Sequence, residues 1–128
     1  MGDTVIYLPD LGTVHTGDLI IDGMPVIDYN NGGSALEFVK TLNNLLKIDF
    51  DTVIPGHGPV LTKDFVRAYV PKLETMNRRM ADLVKRRVAK DQLEKQLQLD
   101  DIDWNHTVST GTFMRSIGQY YDEMAAVK

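Results

Sequence analysis

Cysteine is absent from all 128 residues. Disulfides and thiolate metal sites are therefore excluded, and any metal must be held by His, Asp or Glu. The absence carries no information about compartment, and localisation stays open. No apolar run approaches the ~20 residues that cross a bilayer, so no membrane partner is expected. The residues after Met1 lack a basic start followed by an apolar core, so no signal peptide is expected either. An excess of basic charge is also missing. Net charge is -4, with 14 Lys and Arg against 18 Asp and Glu, which argues against a nucleic-acid partner. What is present is an ordinary globular composition, enough for one compact domain and not comfortably for two.

Residues 4–8 are β-branched and aromatic and favour a strand. Pro9-Asp10-Leu11-Gly12 signals a turn, and Thr13 to His15 resumes β character, which predicts a hairpin. The apolar positions run almost continuously, as in strands covered on both faces. Gly17 breaks the strand pattern, so Asp18 is expected where that strand is interrupted. The stretch 22–33 reads as loop. Ser34 and Glu37 then form a capping-box signature. Ala35, Phe38, Val39, Leu42, Leu45 and Leu46 recur at helical spacing, which predicts an amphipathic helix laid on a sheet. A strand over 50–54 returns from it.

That strand ends on Pro55-Gly56-His57-Gly58-Pro59. Proline fixes φ and glycine permits angles other residues avoid, so the pattern predicts a rigid turn presenting His57. From Lys63 to about Gln98 charged residues dominate. Thr62 and Asp64 suit a helix start, and Pro71 is expected to kink or split the helix. Val70, Leu73, Met76, Met80, Leu83, Val84 and Val88 supply its apolar stripe. Arg78, Arg79, Lys85, Arg86, Arg87 and Lys90 lie largely opposite, which reads as a solvated face. Asp91 with Glu94 suggests another capping box opening a short helix. Residues 99–109 read as loop, and a last helix from about Thr112 buries Phe113, Ile117, Tyr120, Tyr121 and Met124.

Asp18 and His57 both sit where strands break or end. Neighbouring strands end on one edge of a sheet, so the two could converge and offer one oxygen and one imidazole to a divalent metal. Zinc takes three or four protein ligands, so this pair alone makes a partial site or none. His15 and His106 have no comparable setting.

Taken together, Asp3-Thr4-Val5-Ile6-Tyr7-Leu8, Val14-His15-Thr16-Gly17-Asp18-Leu19, the helix opening at Gly33-Ser34, and Asp51-Thr52-Val53-Ile54-Pro55-Gly56-His57-Gly58-Pro59 resemble the C-terminal half of the metallo-β-lactamase superfamily. The likeness covers residues 2 to about 62. It implies an α+β fold: half of a four-layer αβ/βα sandwich, with one mixed sheet, helices on one face, and a helical C-terminal tail. Residues 1–62 would be the C-terminal half of the hydrolase domain, and 63–128 a helical extension packed on it. In the family the aspartate of T-G-D bridges two zinc ions and the histidine of P-G-H-G binds the second, which places metal roles on Asp18 and His57. His15 matches no family ligand and is expected in a strand near the site. His106 matches nothing.

The family's main motif, H-x-H-x-D-H, is absent from this sequence, and so is the histidine that precedes the first of these strands in the family. The resemblance therefore implies the C-terminal portion of a zinc-dependent hydrolase of esters, thioesters or lactams, acting on a small-molecule substrate in the intact parent and inactive alone. An open second sheet face would then pair with a separate N-terminal half or with another copy, giving a homo-oligomer. The alternative is a non-catalytic, self-associating half-domain with no metal role. A third reading has two copies juxtapose two Asp18–His57 pairs into a composite metal site.

Overall fold

A computed structural model describes residues 2–105 and 108–127. Among these the chain is α+β, with one four-stranded mixed sheet and four α-helices. Strand β1, Ile6–Leu8, runs antiparallel to β2, Thr13–Ile21. A 3-10 turn over Pro9–Leu11 joins them, closed by Gly12 at φ +55°. The predicted hairpin is therefore present, with a shorter first strand than residues 4–8.

β2 leads through the 22–34 loop into helix α1, Ala35–Leu45, and the chain returns as β3, Thr52–His57, parallel to β2. A short strand β4, Leu61–Thr62, pairs antiparallel with β3 and completes the order β1-β2-β3-β4. The register alternates side chains between two faces. Tyr7, Val14, Val53 and Leu61 lie in one row, and Ile6, His15 and Ile54 lie in another. Val14 and Val53 are fully buried in the core that the helices share. In the other row Ile6 stays 57% exposed, His15 is exposed and Ile54 is half-buried. Burial on both faces, expected from the apolar runs, is thus met within this chain on one face. The open face mixes Ile6, Leu8 and Ile54 with His15, Thr52 and Thr62.

Helix α1 starts as its sequence dictates, with Ser34 Oγ accepting from Glu37 N at 3.0 Å. The reciprocal half of the capping box is replaced. Glu37 instead pairs with Lys40, and Glu123, from the last helix, accepts from Ser34 Oγ and from Ala35 N. Helix α2, Lys63–Lys85, is capped by Thr62 Oγ1 accepting from Phe65 N. It continues through Pro71 as one helix, so of the expected kink or split the split does not occur. Pro71 and Arg67 are both exposed, so water can serve the carbonyl that lost its N–H partner.

After α2, a 3-10 turn over Lys90–Gln92 leads into a single-turn helix α3, Leu93–Gln96. No side chain caps it, so the capping box expected at Asp91 does not form. Complete burial of Leu93 and Leu97 sets the phase of this segment and leaves Asp91 inside the 3-10 turn. Helix α4, Thr110–Ala125, begins two residues before the expected start. Ser109 donates to Met24 O at 2.5 Å, tying the helix start to the loop that follows β2. Strands and helices bury one continuous apolar core, running from Val14 and Val53 through Phe38, Tyr69 and Met80 to Phe113 and Tyr120.

Candidate functional site

The site follows from one irregularity in the β2–β3 pair. Register runs evenly from Thr13↔Thr52 to His15↔Ile54, then shifts so that Gly17 faces Pro55 and Ile21 faces His57. Pro55 has no N–H to give the ladder, and the bulge at Gly17 falls opposite it. Gly17 holds φ at +53°, a left-handed conformation that side chains disfavour. His15 Nδ1 accepts from Gly17 N at 3.1 Å and satisfies a donor that the bulge frees. His15 therefore supports the backbone of the bulge.

The bulge re-aims Asp18 across to β3. Asp18 Oδ1 and His57 Nδ1 stand 2.9 Å apart. Both side chains face solvent, at 61% and 68% exposure. A carboxylate only accepts, so this contact fixes the proton of a neutral His57 on Nδ1 and leaves the Nε2 lone pair toward solvent. Gly56 makes the approach possible: a Cβ there would press on Asp18 Oδ1 and lie 2.7 Å from Asp18 N. His57 is not on a turn after Ile54, as its prolines and glycines suggest. Pro55, Gly56 and His57 complete β3, and the bend falls at Gly58-Pro59.

No protein-family model matches the chain, and no curated protein matches it.

Asp22 is a neighbour that the sequence left in a loop. Its N–H donates to His57 O at 3.3 Å, and Gly58, at φ +102°, packs so closely that a Cβ would lie 2.9 Å from Asp22 Cβ. Asp22 Oδ2 also accepts from Asn105 Nδ2 at 3.3 Å. The only sequence signal for it was its place just after β2, opposite the end of β3. Below it Tyr69 donates to Gly23 O at 2.8 Å, and burial, with the Asp22 carboxylate adding to it, pushes the Tyr69 phenol well above its ordinary range. The loop beside the site is thereby anchored to α2.

Donor chemistry and donor number give different answers for zinc. A carboxylate and an imidazole are both ordinary zinc ligands. Two donors on one tetrahedral zinc, each about 2.1 Å from it, would stand roughly 3.4 Å apart. For Oδ1 and Nδ1 to be those donors, the proton would have to move from Nδ1 and the 2.9 Å contact open slightly, which two exposed side chains can do. Among the described residues, however, no group of three or more His, Cys, Asp or Glu is placed to hold a metal ion. His106 lies outside the described residues. Asp18 and His57 are brought together as the sequence suggested, and His15 is not brought into their cluster.

Proposed function

We propose that the chain is the C-terminal portion of a metallo-β-lactamase-type, zinc-dependent hydrolase of esters, thioesters or lactams. It contributes Asp18 and His57 to a dinuclear site whose other ligands come from a separate N-terminal half. The observation that carries this reading is the Asp18 Oδ1–His57 Nδ1 approach of 2.9 Å across adjacent parallel strands, at the open end of β3. In α/β sheets the carboxyl ends of parallel strands are where ligands collect. The open sheet row of Ile6, His15 and Ile54 is the surface against which the second half of the sandwich would pack. Bound zinc supplies an acidified water and polarises the substrate carbonyl. Two donors do not make that coordination sphere, so the chain alone is inactive.

Zinc titration followed by imidazole NMR tests this. Added zinc should shift the His57 ring resonances weakly and reversibly, and Asp18→Ala should abolish the response. An unchanged His57 in the presence of excess zinc would overturn the metal assignment.

A second reading has a specific support: Ile6 and Leu8, 57% and 39% exposed on β1, share with the half-buried Ile54 on β3 a sheet face that no helix of the described residues covers at Ile6 or Leu8. Here the chain is a self-associating half-domain without a metal role. Sedimentation with elemental analysis after dialysis separates the possibilities. A metal-free dimer favours this second reading, and about one metal per dimer, lost in His57→Ala, favours a composite site between copies.

A further inference from the structure

A cavity lies away from Asp18 and His57. It is a cleft of about 540 Å³ between the C-terminal half of α2 and the segment through α3, lined by Arg78, Arg79, Asp82, Leu83, Arg86, Lys95, Gln96 and Gln98. Four cations therefore face one carboxylate. Its size falls in the range of small-molecule sites, about 300–1,000 Å³, while its walls are far more cationic than such sites usually are.

The walls are built rather than draped. Arg79 lays both its Nη1 and Nη2 on Asp101, each at 2.7 Å, and reaches the carbonyls of Leu97 and Gln98. Gln98 sits at φ +55°, so the chain turns sharply there to meet Arg79. Arg86 Nε pairs with Asp82 at 2.8 Å, and its Nη1 reaches Gln96 Oε1 at 3.4 Å, across to α3. Leu83, 1% exposed, forms the floor. Two cations remain without a carboxylate among the described residues. Arg78 bonds only Thr75 Oγ1 on its own helix, at 3.0 Å, and Lys95 faces it from the other wall. The helix dipole accounts for a cation at Arg86, near the C-terminal end of α2, but not for Arg78 two turns earlier or for Lys95 on another element.

We propose that this cleft binds a small molecule carrying a di- or polyphosphate group. The arginine forks and the lysine supply charge-assisted donors from two walls, and Gln96 and Gln98 add amides that can donate to phosphate oxygens. An extended nucleic acid fits less well. Glu94, Asp100 and Asp101 flank the lining residues in sequence, and the whole chain carries net charge -4.

Calorimetric titration of the full chain with inorganic pyrophosphate tests the proposal. Pyrophosphate should bind more tightly than orthophosphate, and binding should weaken with salt. The double variant R78A/K95A, at two exposed positions, should weaken pyrophosphate binding about tenfold or more with an unchanged unfolding midpoint. Removing Lys40 and Arg67, which pair with Glu37 and Asp64 elsewhere on the surface, should leave it unchanged. Three results would each overturn the proposal: no heat or shift at millimolar pyrophosphate, an equal loss in the Lys40/Arg67 variant, or a short single-stranded oligonucleotide binding more tightly than pyrophosphate.

Discussion

Replacing Gly56 by alanine probes the candidate site at its tightest point. The new methyl would meet Asp18 Oδ1, the oxygen that faces His57, and would lie 2.7 Å from Asp18 N and from Gly17 C. The side-chain clash is resolved cheaply, because Asp18 is exposed and can rotate, but rotation abandons His57. The backbone clashes cannot be resolved that way. Bringing 2.7 Å contacts to ordinary separation requires β2 and β3 to part by about half an ångström or more beside the bulge. Overpacking of this kind costs about 1–3 kcal/mol, offset by roughly 0.4–1 kcal/mol because alanine restricts the unfolded chain. The net expectation is a loss of about 1–2 kcal/mol together with a lost Asp18–His57 contact.

Gly17→Ala is the matched control. Nothing lies within 4 Å of a Cβ there, but φ is +53°. Its loss should be of similar size, about 1–2 kcal/mol, from left-handed strain alone. Urea unfolding measures both losses, and the long-range ¹⁵N spectrum of the imidazoles reports the His57 tautomer. Gly56→Ala should release the Nδ1–H form, and Gly17→Ala should do so only where the strain is relieved by leaving the left-handed conformation that aims Asp18. If Gly56→Ala unfolds at the wild-type midpoint with His57 unaltered, the close approach of Asp18 to β3 is wrong.

Glu123 ties α4 to the start of α1 through Ser34 Oγ, Ala35 N and Tyr29 OH, so Glu123→Ala should destabilise by about 2–4 kcal/mol and Glu123→Gln by less, as read by thermal unfolding. Burial raises the phenols of Tyr69, Tyr120 and Tyr29 above their ordinary range, so the folded state keeps protons that the unfolded state releases. Their contribution is intact below pH ~10 and is lost as pH rises beyond it; the two deeply buried rings alone give a slope near 2.7 kcal/mol per pH unit, with half-buried Tyr29 adding less. Tyrosinate absorbance from these rings should rise together with loss of far-ultraviolet dichroism, and ionisation of all five tyrosines in a fully folded chain would refute the burial.

The sequence made the hairpin, α1 and the start of α2 readable because each rests on local chemistry, whereas the Asp18–His57 meeting, 39 positions apart, was suggested by two strands breaking or ending on one sheet edge and by the family resemblance. Turn residues, a serine cap and the apolar spacing of Phe38, Leu42 and Leu45 are enough to place them. What it concealed depends on contacts distant in the chain. Glu123 joins the Glu37 N–H as a partner of the Ser34 hydroxyl across 89 positions, which no local motif can announce. Pro71 read as a kink or split because proline gives up a helix hydrogen bond, although it falls at an exposed position outside the apolar stripe. Asp22 lies in a loop as read, but its link to His57 stayed hidden because it exists only once β2 and β3 are paired. Pro55 to His57 looked like a turn because proline and glycine usually punctuate, whereas here a bulge opposite Pro55 keeps the strand going.

That bulge makes T-G-D and P-G-H-G a single unit. Gly17 is needed for the conformation that turns Asp18 toward β3, and Gly56 is needed so that Asp18 has room when it arrives. The glycines of both motifs thus serve the placement of Asp18. Stability is a poor reason for such a device: an exposed Asp–His pair contributes about 0–1 kcal/mol, and either glycine gives up roughly 0.5–1 kcal/mol of backbone entropy relative to alanine. A tight turn with a polar tip would need neither the bulge nor the bare Cα of Gly56. The arrangement makes sense if the value lies in holding a carboxylate and an imidazole together at an open sheet edge, with the histidine's Nε2 free for a further partner. Loss of zinc response in Gly56→Ala, with the fold retained, would be the consequence to look for.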